Sequence, residues 1–320
     1  MFNPALLASW HAHGIVTISP AMLHALALAE RFASTTLPIL LLGATGTGKE
    51  LFARAIHTWS GRSGRFVDIN CGALPRDLVE GELFGHVRGA FTGAMSDYGG
   101  LISSADRGTL FLDELTSLPP EAQVKLLRVL DTGRIRRLGE STDKPVDFRV
   151  LSAAQPRLGQ DLAQERFRLD LLERLARAVI RLPPLEERRE DIIHLARYFA
   201  QELGVNLTDD AEESLHRYAW PGNVRELKSV IERAAILSES SELDRHSIVE
   251  AIALGSVHEG DSRRSMGIPD RFDADTLGAL CSTYQWHAAP IAHALGVSRA
   301  TLFRMLRAKG LSLRHPNSSN

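Results

Sequence analysis

Cysteine is scarce. The 320 residues hold two, Cys71 and Cys281. They fall in separate predicted domains, which argues against a disulfide framework and fits a reducing cytoplasm. Long apolar runs are missing as well. None reaches the length of a membrane span, so no membrane insertion is expected. The start, Met1-Phe2-Asn3-Pro4-Ala5, lacks the basic region and apolar stretch of a secretory signal. No internal repeat or low-complexity tract is evident. Acid is missing from one end: no Asp or Glu follows Asp275, whereas Arg299, Arg304, Arg307, Lys309 and Arg314 cluster there. In a chain of formal net charge -2, such a tail has either a polyanion partner or only a solvated basic face. The rest is ordinary. A hydrophobic content of 44% and a charged content of 24% suit a soluble globular protein, and the length suggests two or three domains.

Residues 1–14 are too few for a domain. From 15 to 182 the pattern alternates short buried strands with helical stretches. Residues 38–42, 65–69, 109–112 and 148–152 read as strands; residues 50–59 and 120–130 read as helices. Such alternation predicts an α/β fold, a parallel sheet with helices on both faces. Pro183-Pro184 breaks the chain. Residues 183–254 read as helices only, at 191–203, 209–218, 224–238 and 245–254. Residues 255–270, rich in Gly, Ser and charge, read as a linker. Residues 271–314 form a last helical unit and 315–320 a tail.

Gly43-Ala44-Thr45-Gly46-Thr47-Gly48-Lys49 follows a predicted strand and opens a helix, the context that a phosphate-binding loop (Walker A) needs. Its glycines let backbone amides curl around phosphate, the helix N-terminus adds positive potential, and Lys49 reaches the outer phosphates. Glu50 follows, where a Ser or Thr usually touches magnesium. Asp113 and Glu114 end another buried strand, at the carboxyl edge of the sheet, where ligands bind. Asp113 is the candidate magnesium ligand, directly or through water. Glu114 is the candidate base that orients and polarises the attacking water. The pair alone could equally start the next helix; Lys49 favours the catalytic reading, with ATP and Mg2+ as cofactors.

Between these motifs lies Gly89-Ala90-Phe91-Thr92-Gly93-Ala94. It is too Gly-rich for a helix interior and has no strand alternation, so it reads as a loop presenting Phe91. In this order the three motifs resemble those of the bacterial enhancer-binding proteins, AAA+ ATPases that activate RNA polymerase carrying sigma-54. The resemblance covers residues 15 to 313 or so. It implies an AAA+ P-loop three-layer sandwich, an α-helical lid and a Fis-type helix-turn-helix. It also implies ATP hydrolysis in a ring oligomer, expected to be a hexamer, with residues 89–94 engaging the sigma-54 RNA polymerase holoenzyme. The family tolerates an acid at the position of Glu50.

The resemblance carries further residues. Asn70, in Val67-Asp68-Ile69-Asn70-Cys71 and ahead of Glu82-Leu83-Phe84-Gly85-His86, would hydrogen-bond the catalytic Glu and relay nucleotide state; by itself it is a common turn Asn. Arg168 and Arg174, in the stretch Phe167 to Leu175, would be offered to the neighbouring subunit's ATP. Taken alone, that stretch is a solvated, salt-bridged helix. Arg225, in Trp220-Pro221-Gly222-Asn223-Val224-Arg225-Glu226-Leu227, would sense the γ-phosphate from the lid. One departure stands out: Ala154-Gln155 occupies the place of the family's usual Thr-Asn. The longer Gln155 side chain places its amide differently, which bears on its sensor role and on the hydrolysis rate. With no room before residue 15 for a receiver domain, the similarity is to the subgroup lacking one, the phage-shock and type III secretion activators. A separate inhibitor or co-activator protein would then supply control.

Near the end, a short helix closing at Gly296 and a Ser298 cap read as a helix-turn-helix. Leu302 and Leu306 point inward. Ser298, Arg299, Thr301 and Arg304 face a major groove, and Arg307 and Lys309 suit phosphate, with enhancer DNA as the partner. A basic hairpin packed on the ATPase is the alternative. Two other classes share these features: a AAA+ remodeller of another client, against which the intact hexapeptide argues, and a DNA-binding regulator with a decayed ATPase, to which only Gln155 points.

Overall fold

The computed structural model describes residues 10–238 and 240–255, together with Cys281, Ile291 and Leu306. Chain order runs α1 (Pro20–Ala33), β1 (Ile39–Leu42), α2 (Lys49–Ser60), β2 (Phe66–Asn70), α3 (Val79–Phe84), α4 (Leu101–Ser104) and β3 (Thr109–Asp113). It continues through α5 (Pro120–Thr132), β4 (Arg134–Ile135), β5 (Lys144–Pro145), β6 (Arg149–Ala154), α6 (Leu158–Ala163), α7 (Leu169–Leu175) and β7 (Ala178–Arg181). The lid follows: α8 (Glu190–Glu202), β8 (Asn206–Leu207), α9 (Asp209–Arg217), α10 (Asn223–Leu237), β9 (Glu242–Leu243) and α11 (Arg245–Gly255).

Five strands form a parallel sheet in the order β2-β3-β6-β1-β7. Side chains alternate across it. Ile39, Leu41, Phe111, Leu151 and Ile180 face one way and meet Leu26 of α1 and Phe52 and Ile56 of α2. Leu40, Ile69, Leu110, Leu112 and Val150 face the other and meet Leu83, Leu126 and Leu171 of α3, α5 and α7. Each such side chain, fully buried, contributes about 1.5–3 kcal/mol. Arg149 is buried in β6 and donates to Ala33 O and Phe32 O at 2.6 and 2.7 Å, capping the end of α1. Burial pulls its guanidinium down to about 10.

Register decides what meets at the carboxyl edge. Asn70 pairs with Asp113 and Leu42 with Ala154. The loop after β1, Asn70, the Asp113-Glu114 pair and Gln155 therefore leave the sheet side by side. The lid has its own core, including Leu195, Phe199, Leu215, Trp220, Leu227 and Ile231. Ile15 packs into the sheet core and the adjacent Val16 into the lid core, so one short segment ties the two.

The sheet and its two helical layers match the expected fold. β7 was not expected. It is four residues long, ends in Arg181 and pairs only with β1 at the sheet edge, so its apolar signal is weak. The lid was expected to be wholly helical, yet β8 and β9 pair in parallel, Asn206 with Glu242 and Leu207 with Leu243. Two residues per strand show no period. The remainder of the expected linker (256–270) and the helix-turn-helix residues Ser298, Arg299, Thr301, Arg304, Arg307 and Lys309 lie outside the described residues. Leu306, expected to face inward, is helical and buried.

Candidate functional site

The loop after β1 runs into α2 at Lys49, whose Nζ donates to Gly43 O and Ala44 O, each at 2.9 Å. Thr47 Oγ1 donates to Ala44 O at 2.8 Å and braces the same turn. Burial pulls the Lys49 ammonium below its ordinary value, Asp113 opposes this, Arg225 adds to it, and Glu114 opposes it. These three groups thus act on Lys49 across one cleft of about 450 Å³. Thr45 to Glu50, Asn70, Asp113, Glu114, Gln155 and Arg225 line it. Ile15, Val16, Leu195 and Phe199 add apolar lining. A glycine-rich turn at a helix N-terminus and apolar side chains in one cleft suit a nucleotide, whose phosphates and base have those opposite needs. The apolar lining was not foreseen; it comes from α8 and residues 15–16, which are far apart in sequence.

Glu114 sits in the left-handed region at φ 52, uncommon for a residue with a side chain. Its carbonyl accepts from Ser117 N at 2.8 Å and starts a single helical turn, Leu115–Ser117. Helix starter and cleft carboxylate are thus one residue. Asp113 Oδ1 accepts from Glu114 N at 2.8 Å. Asn70 Oδ1 accepts from Gly72 N and Ala73 N at 2.8 and 3.1 Å, closing its own turn. A Cβ at Gly72 would collide with Glu114 Oε2 and stand 3.3 Å from Asn70 Oδ1, so both side chains gather over this glycine. Among the described residues, no hydrogen bond joins Asn70 to Glu114. Glu50 lines the cleft and pairs with Arg54 at 2.8 Å, and Arg54 reaches Asp68 of β2 at 3.0 Å.

The lid closes on the loop directly. Val224 N donates to Gly46 O at 3.0 Å, which sets Arg225 over the cleft. Asn223 and Arg188, not singled out from sequence, also reach the loop. Asn223 Nδ2 donates to Thr45 O at 3.0 Å and Arg188 to Thr47 O at 3.1 Å. Asn223 lay within the motif that named Arg225; Arg188 carried no signal beyond its place after the Pro183-Pro184 break.

Arg168 and Arg174 do not line this cleft. Arg168 pairs with Asp170 at 2.7 Å, and Arg174 pairs with Asp131 at 3.2 Å and donates to Leu130 O at 3.3 Å. Both lie half-exposed on the outside of the domain. The Gly89–Ala94 hexapeptide is a closed turn: Gly89 N donates to Ala94 O at 2.9 Å and Ala94 N to Phe91 O at 3.0 Å. Phe91 is 38% exposed, its ring set edge-on against His86 with centroids 5.0 Å apart. The aromatic is thus neither core nor free.

Among the described residues no group of three or more His, Cys, Asp or Glu could hold a metal. Magnesium at a nucleotide takes one or two carboxylates and leaves the remaining positions to phosphate and water, so Asp113 beside the Lys49 loop fits that need. No described helix is long and apolar enough to cross a membrane.

A parallel sheet with the Gly43–Lys49 loop after β1, an Asp-Glu pair at the end of β3 and a helical lid bringing Arg225 to the same cleft define an AAA+ ATPase. The chain belongs to the Sigma-54 interaction domain family, which residues 15–181 match; residues 186–265 match the AAA+ ATPase lid domain. It is 40% identical to the alginate biosynthesis transcriptional regulatory protein AlgB of Pseudomonas aeruginosa, over 93% of this chain and 68% of AlgB. It is 45% identical to the anaerobic nitric oxide reductase transcription regulator NorR of Salmonella agona, over 74% of this chain and 48% of NorR. The chain thus spans about half to two thirds of these relatives. The crystal structure of NtrX from Brucella abortus in complex with ATP superposes with a TM-score of 0.69 at 31% identity, covering 92% of this chain and 69% of NtrX.

Proposed function

We propose that this protein hydrolyses ATP at subunit interfaces of a ring, expected to be a hexamer, and uses the stroke to remodel the sigma-54 RNA polymerase closed promoter complex. The observation that carries this reading is the convergence of Lys49, Asp113, Glu114 and Arg225 on one cleft beneath the lid. The loop amides and Lys49 bind and orient the phosphates. Glu114 orients the attacking water and takes its proton. Arg225 reports the outer phosphate to the lid. Asp113 would hold magnesium, which when bound neutralises phosphate charge. Asn70, beside Glu114 over Gly72, would sense nucleotide state together with Gln155.

The outward placement of Arg168 and Arg174 supports delivery to a neighbouring subunit. Arg174→Ala should then poison wild-type ATPase in mixtures, and specific activity should rise with concentration. Activity that stays constant down to a monomeric dilution would exclude this. The half-exposed Phe91, on a turn with no phosphate chemistry, supports the sigma-54 contact of residues 89–94. We read 15–182 as the ATPase core, 183–254 as the lid, 255–270 as the linker and 271–314 as the enhancer-binding domain.

In vitro transcription from a sigma-54 promoter tests the whole. ATP-dependent open-complex formation is expected. ATPase without activation would mean another protein client, and DNA binding without ATPase would mean a decayed motor.

A further inference from the structure

Three consecutive carbonyls of the phosphate loop each accept a hydrogen bond from the lid side of the cleft. Thr45 O takes Asn223 Nδ2 at 3.0 Å, Gly46 O takes Val224 N at 3.0 Å, and Thr47 O takes Arg188 at 3.1 Å. Asn223 is itself fixed, because its Oδ1 accepts from Leu185 N at 2.7 Å. The seam is tight: a Cβ at Gly46 would collide with Gly222 O.

Arg188 is held from behind. It is 2% exposed and stands 3.6 Å from Asp191 Oδ2, which is fully buried. Asp191 accepts in addition from Thr17 Oγ1 at 2.6 Å, Ile18 N at 2.7 Å and Ser19 N at 3.0 Å. A buried cation is costly unless paired and hydrogen-bonded. Here the pairing points the guanidinium at a main-chain oxygen of the loop.

A trans peptide is planar, and its C=O and N–H point in opposite directions. Fixing the carbonyls of Thr45, Gly46 and Thr47 on one side therefore aims the N–H groups of Gly46, Thr47 and Gly48 at the other. All three of these residues line the cleft. We propose that Arg188 and Asn223 are positioning residues for ATP binding: with the α10 N-terminus, they orient the loop's amides toward the phosphates. The lid thus shapes the phosphate cradle itself, a role separate from that of Arg225. This rests on the reading of the cleft as a nucleotide site.

The test is titration of the full chain with ADP and with adenosine, which share a base and ribose and differ in phosphate, alongside thermal melting. Wild type should prefer ADP; no preference would overturn the nucleotide reading and this proposal together. Asn223→Gly keeps a residue suited to the left-handed backbone at φ 56 and removes the side-chain bonds to Thr45 O, Leu185 N and Pro221 O. Arg188→Met removes the bond to Thr47 O while Asp191 keeps its three other donors. Each variant should bind ADP about tenfold more weakly, the scale of one net hydrogen bond, with adenosine binding unchanged. ADP affinity at the wild-type level, or an equal fall for both ligands, would overturn the proposal even with the wild-type preference intact. If Arg188→Met does not fold, Asn223→Gly decides alone.

Discussion

Two glycine-rich turns of this chain look alike in sequence and differ in almost everything else. The loop at 43–49 and the loop at 89–94 both need left-handed glycines, with Gly46 at φ 78 and Gly93 at φ 101. Around Gly46 the lid leaves no space for a Cβ, whereas around Gly93 nothing lies within 4 Å. The first loop is clamped from the lid and from its own Lys49. The second is closed by its own backbone and rests one ring on His86. Glycine spacing therefore specifies a turn, and surroundings specify its use. A clamped turn offers fixed amides to an anion; an open one offers a side chain to a partner.

The largest effects belong to the clamped turn. Lys49→Ala should abolish ATP and ADP binding, because it deletes the cation proposed to reach the outer phosphates. Glu114→Gln should still bind ATP yet scarcely turn over, since the amide cannot take a proton from water. Normal turnover in Glu114→Gln, measured as phosphate release, would assign the water to another residue.

The open turn should behave in the reverse way. Phe91→Ala should keep ATPase activity and lose sigma-54 engagement in the presence of a transition-state analogue of ATP. Fully burying a Phe makes its truncation cost about 3–5 kcal/mol, but a ring 38% exposed against one imidazole should cost on the order of 1 kcal/mol. A variant that melts early and loses hydrolysis in parallel would make Phe91 structural and erase the contrast between the turns.

A glycine pair sharpens the same contrast at smaller amplitude. Gly93→Ala adds only left-handed strain, about 1–2 kcal/mol. Gly46→Ala adds a collision with Gly222 O on top of that strain, so it should destabilise more and weaken ADP binding. Equal melting losses for the two would mean that the lid yields and does not clamp.

Much of this site was legible because it depends on local order. A strand, a turn and a helix in succession announce the phosphate loop, and a buried strand ending in Asp113-Glu114 announces the carboxylates. The register Asn70 with Asp113 then brings separate motifs together. The lid seam was not legible. Asn223 reaches Thr45 across 178 positions and Arg188 reaches Thr47 across 141, through side-chain bonds to backbone that leave no period. Arg168 and Arg174 mark another limit. Within one chain Arg168 forms the surface ion pair that neighbouring Asp170 suggests, Arg174 pairs instead with the distant Asp131, and such pairs contribute about 0–1 kcal/mol. A role across a subunit boundary has no counterpart in intrachain geometry.

The smallest effect is a pH dependence confined to the clamped turn. Burial and Arg225 hold the Lys49 ammonium below its ordinary 10.5, against Asp113 and Glu114. Phosphate favours the charged form, so bound nucleotide raises that value. Affinity for ADP should therefore be flat near neutrality and fall as pH rises through the lowered value of the free protein, by at most about tenfold per pH unit. Folding shows the opposite sign. The unfolded chain holds this proton more tightly than the empty folded protein, so the Lys49 contribution to stability improves as pH climbs through the same window toward 10.5. Adenosine has no phosphate, so its affinity should stay level across this window. Glu114→Gln removes a carboxylate that supports the charge, and should start the fall in ADP affinity at lower pH; Arg225→Ala should start it at higher pH. Titrations with ADP between neutrality and pH 10.5 would decide. An affinity that stays level throughout would mean that Lys49 is not the buried cation facing phosphate, and the clamped turn would lose its distinguishing chemistry.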